Sequence, residues 1–154
     1  MVRHLEERIA DSEQHAFKSA GERRIAEFLE ASGIRYAYEQ PLFVIDQGKP
    51  KIWYPDFALP QLAIYIEYYG ITGDPDYDRC TRHKREVYKA MELDVIPVYP
   101  ATFRTDWQSY ILDHAERIQA RRHRATSETR RQYHGTRSQY TRETRRAHPR
   151  TYAR

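Results

Sequence analysis

Hydrophobic residues recur at helical spacing in several stretches of the chain, and polar or small residues bound those stretches. The spacing predicts helices over residues 3–16, between Ser19 and Gly33, over residues 78–92 and over residues 106–120. Ser19 and Glu22 have the spacing of a capping box, which satisfies backbone N–H groups at the start of a helix. Gly33 suits the left-handed backbone that often ends a helix, because it has no Cβ atom.

Three further stretches have the composition of β-strands: residues 35–45, 52–59 and 63–69. Turn-forming residues at positions 47–50 and 60–61 separate them. A helix and a short apolar strand at residues 95–99 follow the third stretch, and this order allows a parallel crossover. The pattern predicts an α/β fold in which a mixed central sheet, with an αβββαβ core, is flanked by helices.

Charge divides the chain unevenly. Residues 121–154 contain eleven arginines, no lysine and two acids, a net charge of +9, which leaves −5 on residues 1–120 of a total of +4. The basic segment has no Leu, Ile, Val, Phe, Met or Trp, so we expect it to be disordered when free. We therefore predict a folded domain over residues 1–120 and a nucleic-acid-binding tail over residues 121–154.

Composition also limits the cellular compartments in which we expect the protein. No apolar run reaches the ~18 residues that a membrane span needs, so we expect no membrane partner. Acidic residues within the first fifteen positions argue against a signal or transit peptide. Cys80 is the only cysteine, which excludes an internal disulfide and favours a reducing, cytoplasmic setting. We expect Cys80 to be a small packed residue rather than a nucleophile.

A pair of acidic residues is the strongest candidate for chemistry. If the chain reverses at Gln61 and Leu62, residues that face each other across the two strands have numbers that sum to 123. Asp56 and Glu67 satisfy that sum, so their Cβ atoms should lie about 4.5–5.5 Å apart on one face. Two carboxylates so close share a proton or bind a cation such as Mg²⁺. The alternative is a solvent-exposed pair at the end of a hairpin.

The acidic pair belongs to a larger pattern that resembles the PD-(D/E)XK nuclease superfamily. The resemblance covers about residues 19–100, and its local strings are close to those of nuclease domains attached to DNA-repair helicases. It implies a phosphodiester hydrolase with the same αβββαβ core. The residues that carry the resemblance are Glu22, Pro55-Asp56-Phe57, Ile64-Tyr65-Ile66-Glu67-Tyr68-Tyr69-Gly70, Lys84 and Tyr88.

The resemblance implies a role for each of these positions in metal binding. Asp56 and Glu67 match the two metal-binding acids, and the backbone carbonyl of Tyr68 matches a further ligand. Glu22 matches an acid on the first helix that holds a second metal or a water, although it is also explained as a capping residue alone. The resemblance implies Mg²⁺ as the cofactor, with Mn²⁺ as a substitute.

The sequence departs from the family pattern at the lysine. The pattern places a lysine two residues after the second acid, where this chain has Tyr69. Some members carry the lysine on the following helix instead, and Lys84 with Tyr88 resembles that arrangement, since residues four apart share a helix face. Lys84 would then orient the attacking water; the alternative is a surface lysine. The neighbouring His83 points about 100° away, towards DNA or solvent.

These expectations favour a metal-dependent DNA endonuclease whose catalytic residues are Asp56, Glu67, Lys84, Glu22 and Tyr88. A homodimer would allow such a small enzyme to cut both strands. The alternative is a catalytically inactive module on the same fold that binds nucleic acid or docks to a partner. A third interpretation treats the basic tail as an RNA-binding or assembly segment and the folded domain as its scaffold.

Overall fold

The computed structural model describes residues 17–147, and it describes side chains as far as residue 129. The helix expected over residues 3–16 lies outside this range. The described part of the chain falls into two compact units, which divide between Ala115 and Glu116. The elements are α1 (Ala20–Ala31), β1 (Ala37–Tyr38), β2 (Leu42–Asp46), β3 (Lys49–Trp53), β4 (Phe57–Leu59), β5 (Ile64–Tyr68), α2 (Pro75–Ala90), β6 (Val95–Val98), a 3₁₀ helix (Thr102–Arg104) and α3 (Trp107–Ala147).

The fold is α/β, as predicted, and its centre is a mixed four-stranded sheet in the order β1-β4-β5-β6. The strand pairs β1–β4 and β4–β5 are antiparallel, whereas β5 and β6 are parallel and are joined through α2. The predicted crossover is therefore confirmed. Strands β2 and β3 form a separate two-stranded sheet.

Two of the predicted strands are each divided in the structure. The stretch 35–45 contains β1 and all of β2 except Asp46, and the stretch 52–59 contains the end of β3 and all of β4. Pro41 and Pro55 lie at the two breaks, and proline has no backbone N–H to give to a strand ladder. The turn predicted over residues 47–50 is shorter, since only Gln47 and Gly48 form it, both with positive φ.

Helix α1 is built as its sequence predicts. Ser19 is the N-cap and its hydroxyl accepts a hydrogen bond from the Glu22 N–H, while Gly33 has a φ of 66° just beyond the helix end. Ile25 and Leu29 are fully buried, because they lie one turn apart on the same helix face. The largest fully buried side chains of the core also include Phe57, Leu59, Ile64, Ile66, Ile96 and Ile111.

Helices α2 and α3 differ from their predicted limits. Helix α2 begins at Pro75 because the Asp74 side chain caps it by accepting from the N–H groups of Asp76 and Tyr77. Helix α3 continues through residues 121–147, where the lack of large apolar residues predicts disorder. Arginine, alanine, glutamine and glutamate favour a helix locally even without a buried face, and the prediction considered burial alone. Within the described residues, no helix is long and apolar enough to cross a membrane.

Candidate active site

The β4–β5 hairpin has the register that brings the two acids together. Its three pairs, Phe57↔Ile66, Ala58↔Tyr65 and Leu59↔Ile64, all have numbers that sum to 123. Asp56 directly precedes β4, and its Oδ2 accepts a hydrogen bond from the Tyr68 N–H at 2.6 Å. The carboxylate is thus fixed against the main chain of β5, next to Glu67.

Helix α2 supplies the partners of the second acid. Glu67 is only 4% exposed, and its Oε1 forms an ion pair with the Lys84 ammonium. The Tyr88 hydroxyl donates to Oε2 of the same carboxylate at 3.1 Å. Lys84 and Tyr88 lie four residues apart on the helix that connects β5 to β6, so the crossover itself delivers both side chains to the site. The structure therefore brings together four of the residues that the sequence singles out.

The two acids lie in an environment with too little positive charge for both to ionise easily. Burial, and then the negative charge of Glu67, raises the pKa of Asp56 to about 7. The Tyr68 N–H and the Lys84 charge act in the opposite direction but are outweighed. Burial also raises the pKa of Glu67 above its ordinary value, although Lys84 opposes that shift. A cation held between the carboxylates would relieve both penalties.

Glu22 reaches this region from α1, but its oxygens are already engaged. They accept hydrogen bonds from the Lys18 N–H at 3.0 Å, the Ser19 hydroxyl at 2.7 Å and the Tyr38 hydroxyl at 2.5 Å. The first two bonds account for Glu22 as a capping residue, and the third joins it to β1. Its charge still contributes to the raised pKa of Asp56, so it also belongs to the electrostatic surroundings of the site.

Tyr68 connects α1 to the acidic pair. Its ring lies against Gly21, where a Cβ atom would overlap it, and against Phe103, with ring centroids 5.6 Å apart. Its N–H holds Asp56, so the main chain at this residue forms part of the site. The next residue, Tyr69, stacks on Tyr99 and has a buried hydroxyl without a hydrogen-bond partner among the described atoms.

The donor groups present fit a hard divalent ion. Asp56 and Glu67 would hold it, with the Tyr68 carbonyl as the backbone donor that the sequence pattern implies. A half-buried and a buried carboxylate, both with raised pKa values, are an arrangement that such an ion stabilises, and Mg²⁺ commonly takes only one or two carboxylates. Over the described residues, no group of three or more His, Cys, Asp or Glu side chains is arranged to hold a metal.

A groove of about 450 Å³ leads to the lysine of this cluster. Cys80 lies in it and is exposed, so the prediction of a packed cysteine is wrong; it lies one turn before Lys84 on the same face of α2. Lys18 and Glu39, also in the groove, form an ion pair with each other. The remaining lining residues are Ile52, Trp53, Tyr54, His83 and Lys84.

One cluster in the structure has no counterpart in the sequence analysis. Asp46, at the end of β2, is 3% exposed and lies 2.8 Å from His83 Nε2 and 2.7 Å from Lys51 Nζ. The Lys51 hydrogen bond, followed by that of His83, lowers the pKa of Asp46. His83 is part-exposed, as expected, but α2 and β2 meet only in the folded chain, so no local pattern reveals its partner.

Comparisons of the chain with models of known protein families, with curated proteins and with solved structures give no match. The site is therefore interpreted from its own geometry and chemistry.

Proposed function

We propose that the protein is a metal-dependent endonuclease that hydrolyses phosphodiester bonds in DNA, with the PD-(D/E)XK arrangement and a lysine displaced onto the second helix. The observation that carries the proposal is that the half-buried Asp56 and the buried Glu67 converge, with Lys84 ion-paired to Glu67. The displaced-lysine pattern requires a lysine of α2 to contact the second acid. A lysine with only a surface role would not be expected to form an ion pair with a buried carboxylate.

Each residue of the cluster has a task in this proposal. Asp56, Glu67 and the Tyr68 carbonyl would hold Mg²⁺, or Mn²⁺ in its place; when bound, such an ion would lower the pKa of a water and neutralise charge on the scissile phosphate. Lys84 orients the attacking water and offsets the negative charge that develops on the phosphate. Tyr88 fixes the Glu67 carboxylate through its hydroxyl. Glu22 keeps the start of α1 in place and adds negative potential that favours a cation.

The basic tail provides affinity in this proposal rather than chemistry. The eleven arginines of residues 121–154 would contact phosphates and release counterions, which gives salt-dependent binding without sequence preference. The net charge of −5 on residues 1–120 makes the folded domain a poor anchor for DNA by itself.

The proposal is tested by incubating the purified chain with single-stranded, duplex and branched DNA in Mg²⁺, in Mn²⁺ or in EDTA. We expect cutting in either metal and none in EDTA, with 5′-phosphate and 3′-hydroxyl ends as the family resemblance implies. DNA binding without cutting in any metal would favour the inactive module instead. Preferential binding of single-stranded RNA, again without cutting, would favour the interpretation of the tail as an RNA-binding segment.

A further inference from the structure

The β2–β3 hairpin presents an exposed apolar face. Its register pairs Phe43 with Ile52 and Ile45 with Pro50, and because strand residues alternate between faces, these four side chains share one side. Phe43, Ile45 and Ile52 are 55%, 42% and 52% exposed. Tyr54, just beyond β3, is 55% exposed as well. Apolar side chains that cluster on one exposed face commonly mark a binding surface.

The opposite face of the hairpin holds it against the rest of the fold. Val44 is fully buried there, and Asp46 bonds both Lys51 of β3 and His83 of α2. A hydrogen bond between a buried carboxylate and a side chain of another element limits how far the hairpin moves relative to α2. The outer apolar face is therefore held in a defined position relative to α2, the helix that carries Lys84.

The hairpin carries no exposed acid that would oppose a negatively charged partner. Within residues 42–54, all of which the structure describes, Asp46 is the only acid, and it is buried and paired. Lys49 and Lys51 are exposed on β3. The register places these lysines opposite Asp46 and Val44, on the other side of the hairpin from the apolar face. A partner on the apolar face therefore meets no exposed carboxylate of the hairpin that would repel a phosphate.

The hairpin also continues into the groove of the candidate active site. Ile52, Trp53 and Tyr54 line that groove together with Lys84. A strand of nucleic acid with a phosphate at Lys84 would therefore pass directly onto the hairpin.

We propose that the outer face of the hairpin, formed by Phe43, Ile45, Ile52 and Tyr54, binds unpaired nucleobases of the DNA strand that enters the groove. This inference rests on the proposed function. Duplex DNA keeps its base faces stacked inside and offers mainly sugar and phosphate to a surface, whereas unpaired bases expose apolar faces that stack on aromatic side chains. The substrate class is therefore DNA with a single-stranded segment, such as an overhang, a flap or a bubble.

The test compares the full chain with its Phe43→Thr/Ile52→Thr double variant, since threonine removes the apolar surface but retains β propensity. Binding to a labelled single strand of about 20 nucleotides and to a blunt duplex of the same length is measured in EDTA, so that no cutting occurs. We expect the variant to bind the single strand about tenfold more weakly, the loss of roughly one stacked base, and the duplex less than about twofold more weakly.

Leu112→Thr is the matched control, because Leu112 is 41% exposed but lies on α3, outside the hairpin. It should bind both DNAs as the unmodified chain does. Equal losses on single strand and duplex, or no loss on either, would overturn the inference. A dimer of the unmodified chain that becomes monomeric in the double variant, seen by sedimentation, would also overturn it, because the face would then be covered by a second copy.

The binding assay also separates this inference from the proposed function. If the unmodified chain cuts DNA in Mg²⁺ but the double variant binds the single strand normally, only the inference on the hairpin fails. If the double variant loses single-strand binding but the unmodified chain cuts no DNA in any metal, the hairpin site stands and the nuclease proposal fails.

Discussion

Lys84 is the residue on which the chemical interpretation of the site depends, because it joins a buried carboxylate to the groove. Replacing it with methionine keeps the length of the side chain and removes the charge. We expect Lys84→Met to reduce the rate of DNA cleavage in Mg²⁺ by about 10²-fold or more, since a charge that offsets the transition state is lost. Single-turnover cleavage measures this loss.

Lys89→Met is the control for that experiment, because Lys89 is an exposed lysine in the last turn of the same helix. Its cleavage rate should stay within about twofold of the unmodified chain. If Lys84→Met cut DNA as fast as the Lys89→Met control, Lys84 would have no part in the chemistry.

Asp56 should make the metal-free protein less stable as pH rises. Its pKa in the folded chain is about 7, above the ordinary 3.8, so folding favours the protonated form. The contribution of Asp56 to the unfolding free energy is close to zero below about pH 4, where the acid is protonated in both states. It becomes increasingly unfavourable as the pH rises towards 7 and is constant above that. In EDTA at pH 8, Asp56→Asn should therefore raise the unfolding free energy, on the order of 2 kcal/mol, and should have little effect near pH 4.

Urea unfolding in EDTA at the two pH values measures that difference. Mg²⁺ should stabilise the unmodified chain at pH 8 and should stabilise Asp56→Asn much less, because the variant lacks one of the two carboxylates. A variant that is less stable than the unmodified chain at pH 8 in EDTA would contradict the assignment of Asp56 as a half-buried acid whose ionisation disfavours folding.

The residues of the site were predictable from sequence where their positions follow from strand register or helical spacing. Asp56 and Glu67 follow from the register of one hairpin, and Lys84 with Tyr88 follows from helical spacing. The partner of His83 was not predictable, because Asp46 lies 37 residues away on a different element. Likewise, no spacing rule indicates that Oε2 of Glu22 also accepts a hydrogen bond from the Tyr38 hydroxyl, 16 residues away.

At the level of elements, helix α1 and strand β5 meet through a glycine. Gly21 lies in the first turn of α1, and a methyl group there would overlap the ring of Tyr68. Alanine normally stabilises a helix relative to glycine, by roughly 0.5–1 kcal/mol. We expect the opposite sign here: Gly21→Ala should lower the unfolding free energy by about 1–3 kcal/mol, because the ring of Tyr68 must move.

Denaturant unfolding measures this effect, and Gly33→Ala is the comparison. Gly33 has open space around it, so alanine there meets only the cost of its left-handed backbone, about 1 kcal/mol. The two variants should also differ at the site, since only Gly21→Ala disturbs the residue whose N–H holds Asp56. A Gly21→Ala variant more stable than the unmodified chain would contradict the contact between α1 and β5.

The elements themselves show where local patterns are sufficient. The capping residues and Gly33 define α1 because each acts within one or two turns. The strands were harder to delimit, because β-type residues continue through both breaks and only Pro41 and Pro55 mark them. The separate β2–β3 sheet could not be predicted, since its inner face is defined by contact with α2.

On the scale of the whole chain, charge is the property that the sequence predicts most directly. We expect a chain that ends at residue 120 to bind DNA at least tenfold more weakly at about 0.1 M salt, with a flatter dependence of the affinity on salt. Fluorescence anisotropy over a salt series measures both quantities. The physical reason is the loss of a segment with a net charge of +9.

A full-length variant with the tail arginines replaced by glutamine is the control, because glutamine keeps the helix-forming composition of residues 121–147. It should bind as weakly as the shortened chain. Unchanged affinity in both would mean that the tail does not anchor the DNA. The composition of the tail predicts its role in binding. It does not predict the helix, because a segment without buried apolar residues is helical only if the helix propensities of its residues are sufficient.

The central claim is that Asp56 and Glu67 form a catalytic metal site, and one comparison tests it most directly. DNA cleavage in Mg²⁺ is measured for the unmodified chain, for Asp56→Asn, and for Asp78→Asn, which changes an exposed acid on α2. The account predicts that Asp56→Asn loses cleavage but still binds DNA, while Asp78→Asn retains both. Cleavage by Asp56→Asn at the rate of the unmodified chain would contradict the account.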